Sequence, residues 1–362
     1  PVDTLAGALE RRGVLALPIF VASLRDGEAE KAVRDAVERF RPPLLLTTTA
    51  FALGAEADGD SLFDALDLPV FQVAIATTRR EAWAAGQRGL APADLAMHVV
   101  LPELDGRIMA GAVSFKDAAG PDAELSLRPA FNRPEPDRVE QAARRVAAFL
   151  RLRATPPVER RIVILIPDYP AAAGRTGYAV GLDVPQSVIE ILHDLKKVGY
   201  SIENIPSSAR NLMRMIDRES IGLPREAYRA AFARLPVDAA RAVTDAWGEP
   251  EDEEFRFRAA SFGNVTVALA PDRGRAADRR TDYHDPALPP RHALVAFGVW
   301  LREALGCHAL VHVGAHGTLE WLPGKTVALS RACFPEIVAG ALPVAYPFIV
   351  SNPGEAAQAK RR

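Results

Sequence analysis

The sequence predicts an α/β protein whose parallel sheets are covered by helices on both faces. Along the 362 residues, short apolar runs of strand length alternate with amphipathic, charge-rich stretches of helical period. Strands that are apolar on both faces are typical of a parallel sheet buried between helices. The alternation occurs twice, on either side of a Pro-containing stretch near residues 153–160. We therefore predict two Rossmann-like or flavodoxin-like parallel-sheet domains, residues 1–155 and 156–362, with a helical insertion at about 207–248 in the second.

The first predicted domain alternates strands with helices. Apolar runs predicted as strands are VLALPIF (14–20), PLLLTTT (43–49), PVFQVAI (69–75) and LAMHVVLPELDG (95–106). Charged, amphipathic segments predicted as helices are GEAEKAVRDAVERF (27–40), SLFDALDL (61–68) and a long helix from about Asp137 to Leu152. The long helix follows the turn-rich NRPEPD and ends before Pro156 and Pro157, because proline cannot continue a helix.

The second predicted domain begins with RRIVILIPDYP (160–170), a continuously apolar strand that runs into a Pro and an Asp. After a Gly-rich loop comes the helix DVPQSVIEILHDLKKVGY, in which Asp183 is the predicted N-cap, Pro185 lies in the first turn and Gly199 marks the C-terminal stop. The remaining predicted elements are the strands FRFRAASFGNVTVALAP (255–271), HALVHVG (308–314), TVALS (326–330) and PVAYPFIVS (343–351), and the helix PRHALVAFGVWLREALG (290–306).

The composition excludes several classes of function. Lys plus Arg (44) nearly balance Asp plus Glu (46), so the formal charge of −2 gives no global field for nucleic acid or an anionic membrane. No apolar run reaches the roughly 18–20 residues that span a bilayer. Cys307 and Cys333 have no CxxC spacing, which suits a reducing cytoplasm and excludes a Cys-rich zinc site. The start at Pro1 and the helical AKRR end suggest a piece of a longer cytoplasmic polypeptide.

The segment HVGAHGTLEWLPGK (312–325) concentrates polar chemistry directly behind an apolar strand. In an open α/β sheet, ligands bind beyond the carboxyl ends of the strands, where His312, His316 and Glu320 are expected. If a helix starts near His316, that histidine and Glu320 lie four residues apart on one face. Two imidazoles and a carboxylate suit a divalent first-row metal, or a base with its orienting groups. The structural alternative is a hydrogen-bonded strand-end histidine, a first-turn glutamate and a core tryptophan at Trp321.

Two loops resemble nucleotide-binding motifs but lack the required spacing. LPGKT (322–326) would need a glycine five positions before Gly324, and Leu319 stands there. The following TVALS predicts a strand, whereas a phosphate loop leads into a helix. The loop AGRTGYAVG likewise lacks the GxGxxG spacing of a dinucleotide site. The sequence thus gives no support for nucleotide binding by this chain.

Two further segments carry candidate site residues. A strand runs into SNPGE, which places Glu355 in the first turn of a helix, either as ordinary dipole complementation or as a functional carboxylate on the same sheet edge as the first segment. The loop PDRGRAADRRTDYHDPALPP (271–290) is rich in arginine and aspartate and holds His284. It is either a solvated loop or a lid whose arginines, Arg273 among them, bind substrate carboxylates.

Together these motifs resemble the family of CobN and the large H subunit of magnesium chelatase. The resemblance rests on HVGAHGTLEWLPGK and CFPEIVAGALPVAYPFIVSNPGEAAQAKRR, and extends through TTRREAWAA, PADLAMHVVLPELDG, PDYPAAAGRTGYAVGLDVP, FGNVTVALAPDRGR and YHDPALPPRHALVAFGVWLREALG. It covers most of the chain, and residues 202–255 are its least distinctive part. Magnesium-type members carry HGALEFMPGK-like and NNPSE-like signatures, whereas Thr318, Trp321, Leu322 and SNPGE follow the cobalt-type pattern.

The resemblance implies the tetrapyrrole-binding catalytic subunit of an ATP-dependent cobaltochelatase, which inserts Co²⁺ into hydrogenobyrinic acid a,c-diamide in aerobic cobalamin biosynthesis. Co²⁺ is then the substrate metal, and ATP with Mg²⁺ is bound and hydrolysed by an AAA+ ATPase partner subunit and its companion subunit. We expect neither nucleic acid nor a membrane as a partner. The alternatives are the large subunit of a magnesium chelatase acting on protoporphyrin IX, a tetrapyrrole-binding module without catalysis, and a zinc-type hydrolase using His312, His316 and Glu320.

The same resemblance implies the roles of individual residues. Catalysis is expected from Glu320, Glu355 and His316, and metal binding from His312, His316, Glu320 and Glu355. Substrate binding is expected from Trp321, Lys325, Asn352, Arg273 and His284. Because a carboxylate at a helix N-terminus is a weaker base, Glu320 is the expected proton acceptor and Glu355 the expected metal ligand.

Overall fold

The chain forms two compact α/β units in a computed structural model. The structure describes residues 1–53, 61–118, 129–167, 177–179, 181–218, 220–275, 282, 285–314, 319–347, 357 and 360–361. The first unit comprises Pro1–Leu150 together with Lys325–Ser330, and the second comprises Arg151–Gly324 together with Arg331–Arg362. The prediction of an α/β fold is therefore confirmed. Within the described ranges, no helix combines the length and apolarity needed to cross a bilayer.

The first unit is built on a four-stranded sheet. Its strands are β1 (Leu45–Thr47), β2 (Val70–Arg79), β3 (Ile108–Ala118) and β4 (Ala130–Pro134). Its helices are α1 (Val2–Glu10), α2 (Gly27–Phe40), α3 (Leu62–Leu66), α4 (Arg80–Ala85), α5 (Pro92–Leu95), α6 (Leu101–Glu103) and α7 (Pro136–Ala154), which continues into the second unit. The sheet order is β1-β2-β3-β4, in which the first three strands run parallel and β4 is antiparallel to β3.

Two strand predictions in the first unit are wrong. Residues 14–20 belong to no helix or strand, and Leu15 and Phe20 are 91% and 79% exposed. Pro18 has no amide hydrogen to give to a neighbouring strand, so apolar residues alone do not make this stretch part of the sheet. Residues 95–106 are largely helical, because a π turn at Ala96–Val100 joins α5 to α6.

The helical conformation of residues 95–106 agrees with the four-residue spacing of buried side chains in and next to this stretch. Asp94, His98 and Pro102 are all buried, and they are separated by four residues each time. This spacing places their side chains on one helical face. A run of apolar residues such as Val99–Leu101 fits a buried helix as well as a strand, so periodicity could not separate the two.

The six residues Lys325–Ser330, here called the return segment, complete the core of the first unit. The side chain of Val327 is buried against the apolar cluster that contains Trp83, and the Trp83 indole Nε1 donates to the Ala328 carbonyl oxygen at 2.8 Å. Gly89 has a φ of +87°, and a Cβ at that position would collide with the Val327 carbonyl oxygen. Only glycine therefore allows the backbone to pass this close to the return segment.

The second unit contains the larger sheet. Its strands are β5 (Ile162–Ile166), β6 (Tyr178–Ala179), β7 (Leu182–Asp183), β8 (Ser220–Pro224), β9 (Glu254–Phe262), β10 (Val265–Leu269), β11 (Ala309–His312) and β12 (Val344–Ala345). Its α-helices are α8 (Val184–Lys197), α9 (Ala209–Arg218), α10 (Arg225–Phe232), α11 (Val237–Trp247), α12 (His292–Val299) and α13 (Phe334–Ala339). Short 3₁₀ turns occupy Pro157–Glu159 and Leu319–Trp321, and a π turn at Trp300–Ala304 extends α12.

The main sheet of the second unit is mixed, where the sequence pattern predicted a parallel one. Its order is β12-β11-β5-β10-β9-β8, and the strands from β12 to β10 run parallel. Strands β9 and β8 are antiparallel to their neighbours. The reversal occurs at Gly263 and Asn264, which connect β9 to β10 in a two-residue turn that favours a hairpin.

Two further predictions for the second half of the chain need correction. The predicted helical insertion at 207–248 does contain α9, α10 and α11, but β8 lies between α9 and α10 and pairs with β9 as an edge strand. The segment TVALS forms bends and no strand. Val327 and Ala328 are buried in the first unit without pairing to a strand, so burial and not sheet formation explains the apolar composition of this segment.

The N-cap of α8 is confirmed. The Asp183 carboxylate accepts a hydrogen bond from the Gln186 amide at 3.1 Å, and Gly199 follows the helix with a φ of +91°. We expect Asp183→Ala to lower the free energy of unfolding of the second unit by about 1 kcal/mol, because the Gln186 amide loses its acceptor. Urea titration followed by circular dichroism measures this loss.

The matched control is Asp194→Ala in the same helix, where the carboxylate forms an exposed pair with Lys197. An exposed pair of this kind contributes about 0–1 kcal/mol, so this variant is expected to unfold close to the wild-type midpoint. Equal destabilisation by the two substitutions would show that the cap contributes nothing particular to α8.

Candidate functional site

His312 lies at the carboxyl end of β11, in the middle of the parallel part of the sheet. Its side chain is 2% exposed. Strand β11 is flanked by β5 and β12, and Val311 pairs with Ala345. This register places the next residues, His312 and Tyr346, side by side where the two strands end. The site therefore begins at the sheet edge where α/β proteins bind ligands, as the sequence predicted for His312.

Tyr346 connects His312 to Glu320. Its ring packs edge-on against the imidazole, with centroids 4.3 Å apart and an interplanar angle of 83°. Its hydroxyl donates a hydrogen bond to Glu320 Oε1 at 3.2 Å. Glu320 is 4% exposed and lies in the 3₁₀ turn Leu319–Trp321. A buried imidazole, a half-buried phenol and a buried carboxylate thus form a cluster, which we call the His–Tyr–Glu cluster.

Tyr346 was not among the residues singled out from the sequence. The pattern of its segment predicts a strand that leads to Glu355, and nothing in that pattern distinguishes the tyrosine. The available signal was positional, since Tyr346 lies in the predicted strand PVAYPFIVS as His312 lies in the predicted strand HALVHVG. Parallel strands that end at the same edge bring their last residues together, but only if the two strands are neighbours.

A glycine immediately after the strand allows the site to be compact. Gly314 is buried, and a Cβ at that position would collide with the ring of Pro167, which follows β5. The ends of the adjacent strands β11 and β5 therefore approach each other more closely than any other residue would allow. This steric requirement explains why glycine follows Val313 in HVGAHGTLEWLPGK.

Arg273 supports the turn that carries Glu320. Its guanidinium is buried and donates hydrogen bonds to the carbonyl oxygens of Trp321 at 2.8 Å, Asp285 at 2.6 Å and Leu288 at 2.8 Å. These contacts join the loop before α12 to the 3₁₀ turn. They give Arg273 a supporting role next to the half-buried Trp321, and substrate binding by either residue stays a prediction.

Lys325 is placed in the first unit, as the first residue of the return segment. Its buried ammonium contacts the carbonyl oxygens of Gly86 at 2.6 Å and Ala84 at 3.3 Å, and lies 5.4 Å from the centre of the Trp83 ring. These carbonyls belong to the C-terminal end of α4, where a cation is favoured. The structure thus gives Lys325 an anchoring role, and its role in substrate binding stays a prediction.

The remaining predicted site residues lie outside the described part of the chain. These are His316, His284, Asn352 and Glu355. Their assignments as catalytic, metal-binding or substrate-binding residues stay predictions. Among the residues that are described, no group of three or more His, Cys, Asp or Glu side chains is arranged to hold a metal ion. The described part of the site therefore offers one carboxylate and one imidazole.

The histidine and cysteine at the other end of β11 play a structural part. His308 accepts a hydrogen bond at Nδ1 from the Arg161 amide at 2.9 Å, and burial, together with Arg151 and Arg161, lowers the pKa of this imidazole. Burial raises the pKa of the Cys307 thiol to about 12. A neutral thiol is a poor metal ligand and nucleophile, so Cys307 is an inert core residue.

The chemistry available at the His–Tyr–Glu cluster is proton transfer and transient cation binding. A carboxylate accepts a proton or ligates a hard or borderline cation, and a neutral imidazole ligates first-row metals. The phenol holds the carboxylate by a hydrogen bond and covers the imidazole with its ring. The cluster lies at the carboxyl edge of the sheet, which is the edge where open α/β sheets bind ligands.

Comparison with known proteins places the chain among metal chelatase subunits. The family model described as CobN/Magnesium Chelatase matches residues 1–362. The aerobic cobaltochelatase subunit CobN of a Sinorhizobium species is 39% identical over 383 residues, which cover 100% of this chain and 30% of that protein. The magnesium-chelatase H subunit of Rhodobacter capsulatus is 30% identical over 396 residues, which cover 99% of this chain and 32% of that protein.

A solved structure gives the same result at the level of the fold. The catalytic subunit of cobaltochelatase from Mycobacterium tuberculosis superposes with a TM-score of 0.85 at 32% identity, covering 99% of this chain and 32% of that one. The chain spans about a third of the length of the curated relatives that it matches. With the family model matching from its first residue to its last, the chain belongs to the CobN/magnesium chelatase family.

Proposed function

We propose that this chain is part of the tetrapyrrole-binding catalytic subunit of an ATP-dependent cobaltochelatase, which inserts Co²⁺ into hydrogenobyrinic acid a,c-diamide in aerobic cobalamin biosynthesis. The observation that carries the proposal is the buried carboxylate of Glu320 at the sheet edge, held beside His312 by Tyr346. The relatives named as CobN subunits are 38–39% identical to this chain, compared with 30% for the magnesium-chelatase protein of R. capsulatus.

Metal insertion requires chemistry that these side chains can perform. The inner N–H bonds of the free-base macrocycle break, one in a corrin and two in a porphyrin, the electron pairs stay on nitrogen and become metal ligands, and the protons pass to bases. Glu320 accepts one of these protons in the proposal. His312, His316 and Glu355 are proposed to replace water on Co²⁺ as it approaches the ring, since imidazole and carboxylate suit this ion.

The ATP-driven part of the reaction is proposed to lie on other subunits. LPGKT lacks the glycine of a phosphate loop, and the residues after Lys325 form bends instead of the helix that binds phosphate. We propose that an AAA+ ATPase subunit and its companion bind ATP and Mg²⁺ and act on this subunit. Trp321, Lys325, Arg273, Asn352 and His284 are proposed to contact the macrocycle.

We further propose a cytoplasmic location and a division into two Rossmann-like or flavodoxin-like domains near residue 155. Cys307 and Cys333 are both buried and free, which suits a reducing compartment. The parallel strands β1 to β3 and β12 to β10 support the comparison with doubly wound sheets. The antiparallel strands β4, β9 and β8 extend these sheets at one edge.

A magnesium chelatase large subunit acting on protoporphyrin IX is the second candidate. The 30% identity to the R. capsulatus protein over 99% of this chain favours it as a relative on the same scaffold. The two candidates differ in both the ion and the ring. A tetrapyrrole-binding module without catalysis is the third possibility, and it predicts binding that does not depend on Glu320.

A fluorescence-quenching titration tests the proposal. The full-length subunit is titrated with hydrogenobyrinic acid a,c-diamide and, separately, with protoporphyrin IX, and insertion is then assayed with Co²⁺ and with Mg²⁺ in the presence of the partner subunits and ATP. We expect saturable, selective binding of the corrinoid precursor and insertion of Co²⁺. Selective binding of protoporphyrin with Mg²⁺ insertion would favour the second candidate, and binding of neither ring would refute both.

A further inference from the structure

We propose that Tyr346 is the positioning residue for Glu320 during metal insertion. The inference rests on the function proposed above and adds a residue to its machinery. Two contacts define the role. The Tyr346 hydroxyl is hydrogen-bonded to Glu320 Oε1 at 3.2 Å, and its ring packs against His312 with centroids 4.3 Å apart. One side chain thus touches both the expected base and an expected metal ligand.

Tyr346 directly follows a strand that is paired in the sheet. Strand β12 is held in parallel register on β11 through the pairs Leu310–Val344 and Val311–Ala345. Glu320, in contrast, lies in a single 3₁₀ turn, which is a less regular element than a paired strand. A hydrogen bond from the end of a strand to a carboxylate in a short turn restrains the turn more than the strand. Tyr346 therefore acts on Glu320, and not the reverse.

The hydrogen bond leaves the number of protons transferred during metal insertion unchanged. When the macrocycle N–H bond breaks, an O–H bond forms on Glu320 and the electron pair stays on nitrogen for Co²⁺. The O–H bond of Tyr346 remains intact throughout, so tyrosine neither gains nor loses a proton. The hydrogen bond engages Oε1, so Tyr346 restrains the orientation of the carboxylate that accepts the proton.

The ring contact has a second consequence. An aromatic ring packed edge-on against an imidazole limits rotation of the imidazole and excludes water from that face. His312 is then presented to a metal ion in one orientation. Loss of the hydroxyl and loss of the ring are therefore expected to differ, since the first affects only Glu320 and the second affects His312 as well.

Tyr346→Phe tests the role of the hydroxyl in the full-length subunit with its partner subunits, Co²⁺ and ATP. We expect kcat for insertion to fall about 10-fold, while the affinity for hydrogenobyrinic acid a,c-diamide stays within twofold of the wild type. Tyr346→Leu, which also removes the ring, is expected to lower kcat further.

The matched control is Tyr200→Phe in the same unit. The Tyr200 hydroxyl accepts a hydrogen bond from Arg160 Nη1 at 2.9 Å and lies outside the His–Tyr–Glu cluster, so its removal is expected to leave insertion unchanged. A purely structural role for Tyr346 would lower stability and ring affinity together with kcat.

The results separate this inference from the function on which it depends. If the wild type inserts Co²⁺ and Tyr346→Phe does so with the same kcat, the positioning role is refuted and the proposed function stands. If the wild-type subunit inserts no Co²⁺ into the corrinoid precursor under any condition, the proposed function itself fails. A lower kcat at unchanged ring affinity supports both.

Discussion

Glutamine in place of Glu320 is expected to reduce Co²⁺ insertion by about 100-fold or more, while the affinity for the macrocycle stays within a few-fold. The amide is nearly isosteric with the carboxylate and still accepts the Tyr346 hydroxyl, but it cannot take a proton from a ring nitrogen. General-base catalysis typically contributes about 10²- to 10⁴-fold. The measurement is a stopped-time insertion assay of the full-length subunit with its partner subunits, set beside the fluorescence titration. Glu355→Gln is also expected to abolish insertion, in this case because a proposed metal ligand is lost.

The control for these variants is Glu303→Gln. Glu303 is half-exposed and pairs with Arg234 on the surface of the second unit, at a site unrelated to the cluster. Its insertion rate is expected to match the wild type. If Glu320→Gln instead lost ring binding and insertion in equal measure, the catalytic assignment would give way to simple structural damage.

Arg107→Leu is expected to destabilise the first unit by about 3–5 kcal/mol, because it leaves the buried carboxylate of Asp105 without its partner cation. The Arg107 guanidinium is buried, pairs with Asp105 Oδ2 at 2.6 Å and donates to the carbonyl oxygens of Thr49 and Phe51. It also donates to Gln72 Oε1 at 2.9 Å. Urea unfolding followed by hydrogen–deuterium exchange measures the loss in the first unit separately.

Two comparisons make this prediction specific. The double variant in which Asp105 also becomes Leu is expected to be less destabilised than the sum of the single variants, because the unpaired charge is gone. Arg133→Leu breaks the exposed pair of Arg133 with Asp117 and is expected to cost about 1 kcal/mol or less. Similar losses for Arg107→Leu and Arg133→Leu would contradict a structural role for the buried pair.

Helices whose caps and side-chain pairs lie within the helix or next to its ends were predictable from sequence. The helix GEAEKAVRDAVERF has an N-cap in Asp26, charged pairs four residues apart and an apolar stripe, and its predicted bounds are those of α2. The N-cap Asp183 and the stop at Gly199 set the ends of α8. In each case the residues that decide the conformation lie within one or two helical turns of it.

Elements that depend on distant partners were not predictable. Residues 14–20 have the composition of a strand but no strand partner in the described structure, and LAMHVVLPELDG is apolar enough to suit either conformation. The π turn at Ala96–Val100 has no sequence signature in the pattern of apolar residues. Strand pairing and burial by the rest of the fold determine the conformation of these segments. Neither can be read from the residues of the segments themselves.

The same distinction applies to the candidate site. The place of His312 near the end of a strand could be predicted because it follows the apolar run Ala309–Val311 in the sequence, whereas its role and that of Glu320 stay predictions. Tyr346 was missed because its contacts with His312 and Glu320 depend on β11 and β12 being neighbours in the sheet, which no local sequence pattern encodes. Arg107 was missed for a similar reason, since the acceptors of its guanidinium are brought together only by the fold.

The return segment fixes the order in which the chain can finish folding. Val327 and Ala328 belong to the apolar core beside Trp83, so that core stays incomplete until the ribosome has synthesised residue 330. By then, residues 151–324 of the second unit have already been made. The first unit therefore cannot mature independently in the usual N-terminal-first order. A fragment that ends at Leu150 would expose the surface of Trp83 that Val327 covers, and only chains that extend through the return segment would contain this unit in its complete form.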